Sequence, residues 1–448
     1  MQSLSQNRSV NRVVMLALIA ILIVIGSWRL APAHNSAQRF SFINSFGFNV
    51  ASHRSTSLDA QIQSLQSQLK SHPDDWSSYS QLGLAYLQKA RETGDPSYYQ
   101  KVEEALNQSF GHQADDYVTI SAMGALALAR HQFHSALEWG ERARQLNPTR
   151  TYAYGIITDA QIELGQYDEA VETLQTMVDL QPDMSSYSRV SYVRELHGDV
   201  DGALESMQLA VDGGIPNGEA TAWTRTQLGN LYFNTGNLKQ AEAEYVYTLN
   251  NRPDYTYALA GLGRVRAAQG KLYEAIDLLT RATNIMPLPE FVITLGDLYQ
   301  ANNQPTLAQQ QYKLIGTIEK LFEANGVDMD MEIALFNADQ NKDLVATVEQ
   351  ARKAYANRPS IHAADVLAWA LYKTGNYAEA QIYSQAALRL DTKDALKLFH
   401  AGMIAYRLGD NVQAQAYLEQ ALTINPHFSF LYAEEAQKTL QALQSGDE

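Results

Sequence analysis

The feature that most constrains this chain is a period: slid against itself by 34 residues, it matches along most of its length. Residues 395–428 set the register, with Leu398, Ala401, Gly402 and Ala405 at positions 4, 7, 8 and 11, then Ala414, Leu418, Ala421 and Pro426 at 20, 24, 27 and 32. Residues 222–255 repeat it with Leu228-Gly229, Tyr232, Ala241, Tyr245 and Pro253, and 256–288 with Leu262-Gly263, Ala275, Leu279, Ala282 and Pro287. Segments 117–150 (Gly124, Ala136, Ala143, Pro148) and 151–183 (Ala170, Leu174, Pro182) stay in phase. Looser units span 76–116, with an insertion around Gly94-Asp95-Pro96, then 184–217, 289–327, 328–360 and 361–394.

Elementary chemistry turns this pattern into helical hairpins. Apolar residues at helical spacing form two stripes per unit. Small residues at positions 8 and 20 let the two helices cross closely. Gly followed by Asn or Asp, as in Gly236-Asn237, Gly375-Asn376 and Gly409-Asp410, ends the first helix. Proline at position 32 ends the second because it lacks the next N–H donor. Each hairpin leaves apolar surface on both flanks, so the units must stack on one another.

The Leu-Gly-x-x-Tyr run, the Ala of the second helix and the closing Pro together resemble the tetratricopeptide repeat. The resemblance covers residues 76–428 and implies an all-α, right-handed α-solenoid of about ten hairpins. Leu58, Ile62, Leu65 and Leu69 form the stripe of a lead helix within 58–75, and 429–448 supply a closing helix and tail. The resemblance also implies that the first helix of each hairpin lines a concave face, at positions 2, 5, 9 and 12. Those positions hold Tyr152, Asp159, Tyr192, Trp223, Asn230, Phe233, Tyr257, Arg264, Asp297, Trp369 and Tyr372. Aromatics interleaved with hydrogen-bonding groups suit an extended peptide or a partner helix. A plainer reading has Arg264 and Asp297 simply pairing across adjacent helices. The family's carboxylate clamp needs Lys, Asn and Arg in the groove; only Asn230 and Arg264 approach it, so that clamp is not expected.

Residues 328–403 depart from the plain repeat. Glu332, Asp339, His362 and Asp365 are expected to face the groove, with His400 on the next hairpin. Mixed imidazole and carboxylate groups coordinate divalent metals, which makes a ligand- or metal-handling accessory protein the alternative function. The opposing reading is a hydrated polar groove with His400 half-buried, since no H-E-x-x-H spacing occurs.

Residues 1–33 are expected to be a signal peptide or a single membrane anchor, and 34–57 a linker containing Phe40, Phe42, Phe46 and Phe48. Val13–Ile25 is an unbroken apolar run of 13 residues behind Arg8 and Arg12. Its length favours a signal peptide, and Ala31-Pro32-Ala33 offers small residues for cleavage, while Trp28-Arg29 suits an interfacial anchor. In both cases the repeats are expected outside the cytoplasm. A net charge of −15 with no Lys/Arg run argues against nucleic acid. The absence of cysteine removes thiol chemistry and zinc ribbons. Gly261-x-Gly263-x-x-Arg266 lacks the third glycine of a dinucleotide loop, and Gly270-Lys271-Leu272 is no phosphate loop. With no nucleophile elbow and no large non-repeat region, the expectation is a non-enzymatic scaffold without cofactors.

Overall fold

The computed structural model describes residues 57–216 and 218–445. The expectations for the apolar run at 13–25 and for most of the linker fall outside those residues. Among the described residues no helix is long and apolar enough to cross a membrane. Twenty-two α-helices and no strand make up this part of the chain. Helix α1 (Leu58–Ser71) leads in, and ten hairpins follow. The first five are α2/α3 (Trp76–Thr93, Tyr98–His112), α4/α5 (Tyr117–Ala129, Phe133–Leu146), α6/α7 (Thr151–Glu163, Tyr167–Leu180), α8/α9 (Met184–Leu196, Val200–Asp212) and α10/α11 (Glu219–Asn234, Leu238–Asn251). The second five are α12/α13 (Thr256–Ala268, Leu272–Ile285), α14/α15 (Pro289–Ala301, Pro305–Glu323), α16/α17 (Asp330–Asp339, Leu344–Asn357), α18/α19 (Ile361–Lys373, Tyr377–Ala387) and α20/α21 (Ala395–Arg407, Asn411–Ile424). Helix α22 (Ala433–Ser445) closes the array. The chain is therefore an all-α solenoid.

Local signals set the helix ends. Asp75, Asp116 and Asp199 accept from the backbone N–H three residues on, and Asp183 forms a capping box with Ser186. Pro289 and Pro305 open α14 and α15, where a missing N–H costs nothing.

The small positions do what close crossing requires. A Cβ on Gly83 would lie 2.6 Å from Leu106, one on Gly263 would lie 2.9 Å from Leu279, and one on Gly402 would lie 2.8 Å from Leu418. Position 20 is sealed: Ala136, Ala170, Ala203, Ala241, Ala275, Ala308, Ala380 and Ala414 are all 0% exposed. Each such pair packs the first helix of a hairpin directly onto its second.

Hairpins six places apart also touch, which neighbour-to-neighbour stacking does not require. The turn of each early hairpin meets the loop that leads into the hairpin six places on. Arg130 donates Nε to Asn325 O, Gln132 to Gly326 O, and Asn425 donates Nδ2 to Phe233 O, across separations of 195, 194 and 192 residues. Backbone joins in directly, since the Asp328 N–H donates to Arg130 O at 3.0 Å. The Ile361 N–H donates to the Tyr167 hydroxyl at 2.8 Å, and Ile361 is buried beside Ile162, Tyr167 and Leu196. The same contact explains two of the turn glycines. Gly165 and Gly198 have φ of +71° and +72°, and a Cβ there would lie 2.4 Å from Pro359 O and 2.3 Å from Asp391 O. Gly375 and Gly409 have the same left-handed φ but open space around them. In the later hairpins glycine serves only the turn; in the earlier ones it also admits the next coil.

Candidate functional site

On the inner face the predicted residues divide into small fixed groups. Asn230 Oδ1 accepts from the Tyr245 hydroxyl at 2.7 Å and from Arg264 Nη2 at 2.9 Å. The Arg264 guanidinium lies 4.5 Å over the Phe233 ring, which leaves Phe233 buried. Arg264 therefore turns to Asn230, and the sequence-level pairing with Asp297 does not form. Asp297 instead accepts from the Tyr312 hydroxyl at 2.7 Å, and burial pushes its pKa up to about 7. Both tyrosines sit at repeat position 24 and reach position 9 of their own hairpin.

Asp159 receives two hydrogen bonds from Arg189, 2.8 Å from Nε and 2.6 Å from Nη2. Burial raises Tyr152 to about 12. Tyr257 packs edge-on against Phe291 at 5.6 Å, and Trp223 stays half-buried on α10. Nearby, Glu219 at the start of α10 pairs with Arg91 and accepts from the Tyr255 hydroxyl.

Trp369 needs correction as a groove residue. It is 1% exposed, stacked between Tyr372 and His400 at 4.7 and 4.1 Å, and Tyr432, ahead of α22, packs edge-on against it. Its indole N–H donates to Asp339 at 2.8 Å, and Tyr432 donates to the same oxygen at 2.7 Å. Trp369 is core, and a partner cannot reach it.

The five His and carboxylate residues do not converge. Glu332 accepts from Arg358, Asp339 from Trp369 and Tyr432, and His400 Nδ1 bonds Asp365 at 3.0 Å in full burial. His400 is thus wholly rather than half buried. His362 Nε2 meets the Tyr192 hydroxyl at 3.0 Å, and burial holds its pKa down at about 3, so the ring is neutral. No group of three or more His, Cys, Asp or Glu among the described residues is placed to hold a metal ion.

Where one coil lies on the next there is a cavity of about 340 Å³. Its wall combines Leu128, His131 and Phe133 of the second hairpin, Asp159, Ile162 and Glu163 of the third, and Tyr192 of the fourth. Met331, Glu332 and Arg358 arrive from the other coil. Arg358 Nη2 lies 3.1 Å from both Glu332 oxygens, its Nη1 is 3.8 Å from Glu163, and its guanidinium covers Phe133 at 5.4 Å. Burial raises the Glu163 carboxyl above its ordinary range. Only Asp159 and Tyr192 were picked out as groove residues from sequence, with Glu332 for a metal. Of the rest, His131 and Arg358 lie just outside helices, while Leu128, Phe133, Ile162, Glu163 and Met331 sit at helix ends.

Family models described as tetratricopeptide repeat match residues 127–191, 226–287, 362–394 and 398–428. No curated protein matches the chain. Among solved structures it is similar to a thermophilic tetratricopeptide repeat protein of Thermus thermophilus, at 20% identity over 42% of this chain and 99% of that one, with a TM-score of 0.36. It is also similar to YrrB, described as having an unusual peptide-binding site, at 19% identity over 42% and 95% of the two chains and a TM-score of 0.29. A chain of the APC/C hetero-tetramer Cut9-Hcn1 is similar at 11% identity over 86% and 90%, with a TM-score of 0.37.

Proposed function

Since the chain belongs to the tetratricopeptide repeat family, we propose that it is a non-catalytic scaffold holding an extended, basic polypeptide along its inner face. The observation that carries this reading is a surplus of enclosed carboxylates. Burial raises the pKa of Glu163, Glu195, Asp297 and Asp339 alike, and neither Glu195 nor Asp297 has an ion-pair partner among the described residues. Enclosed carboxylates without cations hold on to protons, and a cationic chain laid beside them would restore their charge and pair with it. Aromatics such as Trp223 and Tyr257 offer flat apolar contact between them.

We place the scaffold at the cell envelope with its repeats outside the cytoplasm. Arg8 and Arg12 ahead of the apolar run Val13–Ile25 support this orientation. A test of the binding reading puts a photo-crosslinking phenylalanine analogue at Trp223 on the inner side or at Tyr273, which is 91% exposed. In cells, position 223 is expected to capture polypeptide and position 273 to capture none. Equal capture at both sites, or capture at 273 alone, rules the inner face out.

A further inference from the structure

We propose that the cavity between the coils is a specificity pocket for one cationic side chain, arginine or lysine, of the polypeptide held along the inner face. The proposal rests on the groove reading and adds to it a defined anchor.

The chemistry of the wall selects the ligand. Asp159 is satisfied by Arg189, and Glu332 by Arg358. Glu163 is left with Arg358 Nη1 at 3.8 Å, which is beyond hydrogen-bonding distance, though its side chain is only 24% exposed. Three carboxylates thus face two guanidinium groups. The hydrogen-bonding polarity points the same way. His131 Nδ1 donates to the Asp328 carbonyl at 2.8 Å, so that nitrogen is not available to Glu163. Glu163 is therefore the wall carboxylate left wanting a close donor. Ammonium and guanidinium groups donate without accepting and bring the positive charge that the third carboxylate lacks.

Shape agrees with polarity. Leu128, Ile162 and Met331 supply an apolar wall for a methylene stem, and carboxylates line the same cavity for the head group. A volume of about 340 Å³ lies at the low end for ligand pockets and suits one long side chain. The pocket is complete only where hairpins two to four meet hairpin eight and the loop after it, so it recognises its ligand only when the coils are stacked.

The probe is fluorescein-labelled nona-arginine, read by fluorescence anisotropy on the full chain at an ionic strength of about 0.15 M. Glu163→Gln is expected to weaken binding about tenfold, the value of one charge-assisted hydrogen bond in a sheltered site. Glu349→Gln, whose parent side chain is 76% exposed, is expected to change it less than about twofold. Met331→Arg places a guanidinium in the cavity from its own wall and is expected to match the loss seen with Glu163→Gln. Circular dichroism checks that each variant is folded. Unchanged affinity in both pocket variants overturns the proposal. So does spermidine competing for the pocket as strongly as the peptide, which makes the occupant a free polyamine. Photo-crosslinking of the same peptide from position 223 reads the groove separately. A cross-link with unaffected pocket variants removes only the pocket, and no cross-link together with no binding removes both.

Discussion

Asp297 shows what a single residue contributes inside this coil. Its folded pKa of about 7 stands above the ordinary value of 3.8 because burial disfavours the charged form. The folded state thus holds an extra proton between those two values. The associated stability is fully present below 3.8 and is lost as pH rises through 7. Asp297→Asn keeps an acceptor for the Tyr312 hydroxyl and removes the charge. It is expected to raise the melting temperature by about 2 °C or more at about pH 8, with no gain over the parent at about pH 4. His362 runs the other way: held at about 3, its neutral form adds stability above pH 6.5 that is lost as pH falls. Comparing variant with parent at each pH cancels that background. The spacing placed Asn230, Arg264 and Asp297 on the inner helices, but it could not tell which of them would pair. Partner choice turned on the tyrosine hydroxyls at position 24, whose reach depends on how closely each hairpin crosses.

At the scale of elements, the helices and their ends were open to reading from the start. Apolar stripes, small crossing positions, turn glycines and terminal prolines are all local, and local chemistry is what a sequence displays. The end of the array was harder. Trp369 falls at a groove position, yet His400 of the next hairpin and Tyr432, just ahead of α22, cover it. Trp369→Ala is expected to cost about 3–5 kcal/mol in urea unfolding, as deletion of a buried aromatic does. Tyr432→Phe, losing one hydroxyl from Asp339, is expected to cost about 1 kcal/mol. A Trp369→Ala loss within error of zero means the indole is not packed as described. The His and carboxylate residues of 328–403 misled for a related reason. Their types suit a metal, but Glu332 is taken by Arg358 at the end of its own hairpin, and the others by partners from elsewhere in the array.

For the whole molecule, the contact between coils was the least visible feature. It grows from a small rotation added at every hairpin, and no residue pair within one repeat encodes the sum. Its trace in the sequence is negative: glycines whose left-handed φ explains only half of why they are glycine. Asparagine tolerates that φ, so it separates the two roles. Gly198→Asn is expected to loosen the junction with the loop at Asp391 and lower the melting temperature, whereas Gly375→Asn is expected to leave it within about 1 °C. Amide exchange gives an independent reading. The Asp328 and Ile361 N–H groups bond only across the junction, at 3.0 and 2.8 Å, and are expected to exchange slowly. Exchange at unprotected rates there means the coils stand apart.

Repeat arrays are ordinarily shortened with impunity, because each module leans only on the one before and the one after. Here the turn at Gly165 leans on a loop 194 residues downstream of it, close to Pro359. Cutting away the last four hairpins would therefore unroof the first ones, and fragments made by trimming from either end should fray well beyond the cut. Deletion mapping of such a chain would report lost binding at places that never touch a partner.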